Sequence, residues 1–131
     1  MSFAADLVAA IDSGKILGIR AGAEPHRFIG IWAVVVDGRV FVRSWDRKTG
    51  GWYRTFLEEP TGVIQVPDGR EIRVRAVRTK SERLRDAVDD AYRAKYRTPG
   101  SVKYVRGFAR PTRRETTTEL VPAGRAGRKK R

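Results

Sequence analysis

Residues 28–36 place apolar side chains on both alternating sides of the chain, the pattern of a strand covered on both faces. Asp37-Gly38 follows, a two-residue hairpin signal. On the return, Val40, Val42 and Ser44 point one way and Phe41, Arg43 and Trp45 the other. A short loop over 46–50 then leads into a helix over 51–58, which Pro60 ends. Upstream, Ser2 is placed to cap a helix running to about residue 12, with Phe3, Leu7 and Ile11 on one stripe and Gly14 just past its end. Residues 15–20 read as a first strand and 21–25 as a loop.

Downstream, residues 63–66 and 71–79 pair across the turn Pro67-Asp68-Gly69-Arg70. Ile72, Val74 and Ala76 face inward there, and Arg73 and Arg75 outward. Thr79 and Glu82 have capping-box spacing for a longer helix with Leu84, Val88, Tyr92 and Tyr96 as its buried stripe, stopped by Thr98-Pro99-Gly100. Residues 101–111 read as irregular or a short helix, and 116–121 as a last strand. The fold class is α+β. Six short strands joined by local hairpins favour a barrel over an open sheet, and a two-sided strand in so small a chain needs a helix or a second subunit outside it.

The chain has 131 residues, one domain in size and long enough to bury a real core. It has no cysteine, which excludes disulfides, thiolate chemistry and sulfur-based metal sites. Its N-terminus lacks the pattern of a signal peptide, and no apolar run approaches the ~18 residues that span a bilayer. The expectation is a soluble cytoplasmic protein without membrane contact. The net charge is +13, and residues 110–131 hold eight basic against two acidic residues. Residues 122–131 are expected to form a basic disordered tail behind a domain spanning 1–121. Such charge favours anionic partners, including nonspecific nucleic-acid contact through the tail.

One histidine, no cysteine and no G-x-S-x-G elbow leave no nucleophilic triad. His26 has no neighbouring histidine to share a metal, and no P-loop or G-x-G-x-x-G is present. Asp86, Asp89 and Asp90, set among arginines, read as a solvated ion-pair face rather than a catalytic dyad. Anion recognition with stacking remains. A hairpin closing on Asp37-Gly38 puts Trp32 opposite Arg43 and Ile31 opposite Ser44, and brings Arg27 near residues 46–48. His26, Arg27, Arg43 and Ser44 would then border one patch, with arginine forks and a hydroxyl suited to phosphate. Trp45 and Trp52 offer flat faces for a ring system, and the helix start after Gly50-Gly51 offers free N–H groups. Each residue also has a structural reading. Trp32 belongs to a two-sided strand. Trp52, Phe56 and Leu57 share one helix face. Arg43 can pair with Glu58 or Glu59, and His26 can be a satisfied hydrogen-bonding residue. Arg27 and Ser44 are the least easily explained by packing.

The runs R-A-G-A-E-P-H-R-F-I-G-I-W-A-V-V-V-D-G-R-V-F-V-R-S-W, G-W-Y-R-T-F-L, A-Y-R-A-K-Y and T-P-G-S-V-K-Y closely resemble a bacterial domain-of-unknown-function family, nearly throughout the chain to about Val121. That family in turn resembles the FMN-binding split-barrel superfamily, near the deazaflavin-dependent nitroreductases. Arg27 falls on that pattern's arginine, Trp32 on its aromatic and Ser44 on its hydroxyl, while Trp52 and Leu57 fit its later motif loosely. Gly30 stands in place of its proline, Ala23-Glu24-Pro25 replaces its glycine-rich loop, and Thr55-Phe56 replaces its helix asparagine. The resemblance implies a six-stranded, mostly antiparallel split β-barrel with an N-terminal helix, a short helix after strand 3 and a longer helix after strand 5. It implies a homodimer and a phosphorylated small-molecule ligand, FMN or a deazaflavin, held at Arg27 and Ser44. The functions to weigh are a small flavin- or deazaflavin-dependent reductase, a cofactor-free dimeric ligand sensor and a nucleic-acid-binding module.

Overall fold

A computed structural model describes residues 3–23 and 26–123. Helix α1 (Ala5–Ser13) leads into β1 (Leu17–Ala21), β2 (Ile29–Ile31), β3 (Ala33–Val36) and β4 (Arg39–Val42). Helix α2 (Trp52–Glu58), β5 (Thr61–Gln65) and β6 (Glu71–Arg78) follow. Helices α3 (Glu82–Lys95), α4 (Pro99–Phe108) and α5 (Pro111–Arg114) then precede β7 (Thr118–Pro122). The seven strands form one antiparallel sheet in the order β2-β1-β5-β6-β7-β4-β3.

The two ends of this sheet are consecutive pieces of one run of chain. β2 pairs with β1, setting Leu17 against Ile31, and β3 pairs with β4, setting Ala33 against Val42. Only Trp32 separates them, so the sheet rolls into a barrel with a seam at that residue. The single two-sided strand expected over 28–36 is therefore two strands, which makes seven rather than six. The expected pairing across Asp37-Gly38 holds from Val36–Arg39 to Ala33–Val42 and stops there, because the chain beyond Trp32 turns to β1. Asp37 and Gly38 take φ values of 52° and 75°, the left-handed pair that a tight hairpin needs.

Alternation along the strands sorts side chains into two cores. Inside the barrel, Ile19, Ala33, Val40, Val42, Ile64, Val74 and Leu120 pack together, joined by Leu7 and Ile11 of α1 and by Trp52, Tyr53 and Phe56 of α2. Outside it, Val34 and Phe41 pack under α3 and α4 against Val88, Tyr92, Tyr96, Val105 and Phe108. The cover expected outside the two-sided strand is thus a helical layer. Leu57, expected in the core, is exposed, and Tyr53 takes its place.

Several local devices differ from the sequence reading. The cap of α3 is Ser81, whose hydroxyl accepts from the Leu84 N–H at 3.2 Å. Thr79, just past the end of β6, is buried, and its N–H donates to the Thr117 carbonyl at 2.9 Å, so it extends the pairing toward β7 instead of capping α3. Residues 101–111 lie mostly within α4, for which Thr98-Pro99 is a start as well as a stop, with Pro99 in its first turn. β7 begins at Thr118 and ends at Pro122, one residue past the expected domain boundary. The cap assigned to Ser2, the loop positions Glu24 and Pro25 and the tail from 124 onward lie outside the described residues. Among the described residues no helix is long and apolar enough to cross a membrane.

Two tyrosines hold the seam shut. Tyr92 donates its hydroxyl to the Trp32 carbonyl at 2.9 Å. Tyr96 stacks on the Trp32 ring, with centroids 4.1 Å apart and planes 4° from parallel, and donates to the Lys15 carbonyl at 2.7 Å. Burial raises the pKa of both phenols, that of Tyr96 to about 12, helped there by the nearby Asp12 carboxylate. A phenol pKa raised on folding gives stability that is full below the unfolded value and lost as pH rises through the folded one. Stability should therefore fall between about pH 10 and 12. Chemical denaturation across that window tests it. The Tyr96→Phe variant should show a shallower fall, and an equally steep fall in that variant would remove Tyr96 from the account.

Candidate functional site

Past Val42 the chain leaves the ladder and the barrel opens on the outer side of the seam. A cleft of about 410 Å³ lies there. The edge strand β2 forms one wall through Ile29, Gly30 and Ile31. The segment from Ser44 to Trp52 forms the floor, and Tyr104 and Phe108 of α4 close the far side. The lining is mainly apolar and aromatic, with Arg43, Asp46 and Lys48 as its charged members. The Asp46 carboxylate accepts from the Lys48 backbone N–H at 3.2 Å, an Asx turn that shapes the floor. Its size and its few polar groups are those of a small-molecule site.

Of the residues expected at the site, the structure brings Arg43, Ser44, Trp45 and Trp52 to the cleft and leaves His26 and Arg27 out of its lining. Arg27 is exposed on the segment entering β2. The His26 ring nitrogens face two carbonyls, Nδ1 that of Arg27 at 3.0 Å and Nε2 that of Ala21 at 3.3 Å. This ring ties together the two ends of the loop before β2.

Arg43 contributes to the cleft from within. Its side chain is 1 % exposed, and its guanidinium is turned into the layer between the sheet and the helices. Nε donates to Thr117 Oγ1 at 2.8 Å. One terminal nitrogen donates to Asp89 at 2.5 Å and to the Phe108 carbonyl at 3.0 Å. The other donates to the Arg85 carbonyl at 3.0 Å. Asp89 of α3, and neither Glu58 nor Glu59, is its ion partner. Burial pulls the Arg43 pKa down and the Asp89 carboxylate opposes that fall. Arginine remains charged regardless. The fork expected to hold phosphate is committed to internal acceptors.

Ser44 is likewise engaged. Its hydroxyl donates to the Asp46 carbonyl, and its N–H donates to Thr116 Oγ1 at 2.9 Å. Trp45 is 41 % exposed, yet one face is covered by the Arg113 guanidinium, 3.7 Å from the ring centroid. Its edges meet Tyr104 and Phe108, each with centroids 5.4 Å away. A Cβ on Gly107 would collide with this ring, which is why α4 carries glycine there. Trp52 is 9 % exposed and joins the barrel core while also lining the cleft.

Tyr104, Phe108 and Lys48 line the cleft and were not singled out from the sequence. The signal for the first two was present in Thr98-Pro99, a cap and first-turn proline, followed by aromatics four residues apart on one helix face. The aspartates form ion pairs as expected, but the face is not wholly solvated, since Asp89 is mostly buried against Arg43. Asp86 pairs with Arg114, Asp89 with Arg43 and Arg114, and Asp90 with Arg93. Among the described residues no group of His, Cys, Asp and Glu could hold a metal ion.

Comparison with known proteins places the chain at this point. Residues 6–120 match the family model described as "Uncharacterized protein conserved in bacteria (DUF2255)". The chain belongs to the DUF2255 family. No curated protein matches this DUF2255 chain. Among solved structures it is similar to the crystal structure of the conserved hypothetical protein Rv2991 from Mycobacterium tuberculosis. The TM-score is 0.61 at 13 % identity, covering 92 % of this chain and 79 % of that one. At that identity the likeness shows a shared fold.

The placement of Arg43 carries a prediction for the DUF2255 barrel. Removing one member of a buried ion pair costs about 3–5 kcal/mol. Arg43→Met should fall near the lower end, because Arg114 Nε still reaches Asp89 at 3.3 Å. Urea denaturation measures the loss. A cost below about 1 kcal/mol, the range of an exposed ion pair, would show that the guanidinium is solvated.

Proposed function

We propose that this protein is a ligand-binding barrel whose seam cleft takes a planar ring bearing an anionic group, with FMN or a deazaflavin as the first class to test. The aromatic cleft of about 410 Å³ carries this reading. Trp32, Trp45, Trp52, Tyr104 and Phe108 surround it, and flat rings favour a flat guest. The ring part of such a cofactor fits. The phosphate part fits differently from the pattern that the resemblance implies. Arg43 and Ser44 spend their donors internally. Lys48 would meet the anionic group, being the cation of the lining that makes no ion pair among the described residues. A bound flavin or deazaflavin would supply hydride transfer, and this chain would orient the ring and exclude water from its apolar face. A homodimer would complete the open side of the cleft.

The internal commitment of Arg43 and Ser44 favours a second reading, a cofactor-free dimeric barrel that senses a ring-shaped ligand without redox chemistry. Titration separates the two. FMN or a deazaflavin should quench tryptophan fluorescence and raise Tm. A hundredfold excess over Kd stabilises the native state by about 2.7 kcal/mol, a rise on the order of 10 °C for a domain of this size. Lys48→Glu should weaken binding about tenfold. The absence of quenching and of any Tm shift with both cofactors at high micromolar concentration would reject the cofactor reading and leave the sensor.

A further inference from the structure

A second concavity, of about 560 Å³, shares Trp45 and Tyr104 with the cleft and opens along the outer face of α4 and the start of α5. Lys103, Arg106, Arg110 and Arg113 line it, and among the described residues no carboxylate does. Among the described residues none of these four makes an ion pair. The chain treats the adjacent Arg114 in the opposite way, setting Glu82, Asp86 and Asp89 around it. Arg47, close by, pairs with Glu115. Neutralising carboxylates are therefore within reach of this region and are directed elsewhere. Four like charges on one flank repel one another, a cost that an anionic occupant removes.

The aromatic members narrow the class of occupant. Trp45 and Tyr104 are 41 % and 43 % exposed, unusual for rings that could pack inward. Lys103 Nζ lies 5.3 Å from the Tyr104 centroid, and Arg113 lies flat on Trp45, so each ring stands beside a cation. Cations that track a phosphate backbone, set beside rings that accept stacked bases, are the working parts of single-strand nucleic-acid sites. An acidic peptide would use the charges and leave the rings idle. A duplex would hide its base faces from them.

We propose that this groove binds single-stranded nucleic acid, the phosphates meeting Lys103, Arg106, Arg110 and Arg113 and a base stacking at Tyr104. The site is built from described residues of α4 and α5 and the turn between them, and does not rest on the cofactor reading of the cleft.

The test uses the full-length chain and fluorescence anisotropy with a labelled oligothymidylate of about twelve nucleotides, within the span of single-strand sites. Four phosphate contacts predict that log K falls against log salt with a slope of roughly −3. Arg106→Ser with Arg110→Ser, both exposed positions, should weaken binding at least tenfold and make that slope shallower by about 1.4, with an unchanged Tm. Replacing Arg128, Lys129, Lys130 and Arg131 by serine should weaken binding less than the groove pair. Tyr104→Ala should weaken the oligonucleotide and leave inorganic polyphosphate unaffected. The proposal is overturned if the groove pair binds like the parent, or if tail replacement abolishes binding. It is also overturned if polyglutamate competes as well as the oligonucleotide at equal charge, or if duplex is preferred.

Discussion

Everything outside the barrel is organised around one buried charge. Taking a guanidinium out of water costs several kcal/mol, and only a full set of well-placed acceptors offsets it. Arg43, just past the end of β4, finds them in three places: α3 supplies Asp89 and the Arg85 carbonyl, α4 ends with the Phe108 carbonyl, and Thr117 stands just before β7. Hydrophobic packing of Phe41 and Val34 against Tyr92 and Phe108 would tolerate small slips of the helices. Hydrogen-bond geometry does not. The guanidinium thus fixes where α4 stops, and with it where Tyr104 and Phe108 stand relative to the seam.

The seam follows from connectivity. β2 and β3 lie at opposite edges of the sheet and are joined through the single residue Trp32. A sheet whose edges are covalently tied must roll. The residue at the tie cannot complete a ladder on either side, so its carbonyl needs another donor, and Tyr92 supplies it at 2.9 Å. The Tyr96 stack covers the indole face. A site at the seam is then a geometric consequence, because β2 turns to β1 while β3 stays with β4, and the space left between them is bordered by side chains of α4 and of the 44–52 segment.

Periodicity revealed much of this. Val40 and Val42 lie inside and Phe41 and Arg43 lie outside, as alternation requires, and the Asp37-Gly38 hairpin has the expected register. The α3 stripe and the outward Arg73 and Arg75 also follow from local pattern. Relations set by long-range packing did not. Nothing near Arg43 in sequence announces Asp89, forty-six residues away, so an arginine at a strand end reads equally well as a rim residue or a core residue. A run apolar on both sides reads as one strand, although its halves serve different partners. Trp45 and Trp52 reach the cleft, while Arg27 lies outside its lining because the turn into β2 precedes the wall that β2 builds. The aromatic wall from α4 was hidden because Thr98-Pro99-Gly100 punctuates the chain, and punctuation that ends one helix can begin the next.

Trp45 ties the two concavities to each other. Arg113 covers one face of its ring and donates from Nε to its backbone carbonyl at 2.8 Å, so the indole is held by the same cation that belongs to the basic groove. Gly107 gives the ring room against α4, and Phe108, whose carbonyl Arg43 holds, meets its edge. Any anion that draws Arg113 away from the indole therefore unpins a wall of the seam cleft. Any ring that enters the cleft bears on the residue whose carbonyl fixes Arg113. The two concavities thus share one wall, whose position rests on the Arg113 side chain.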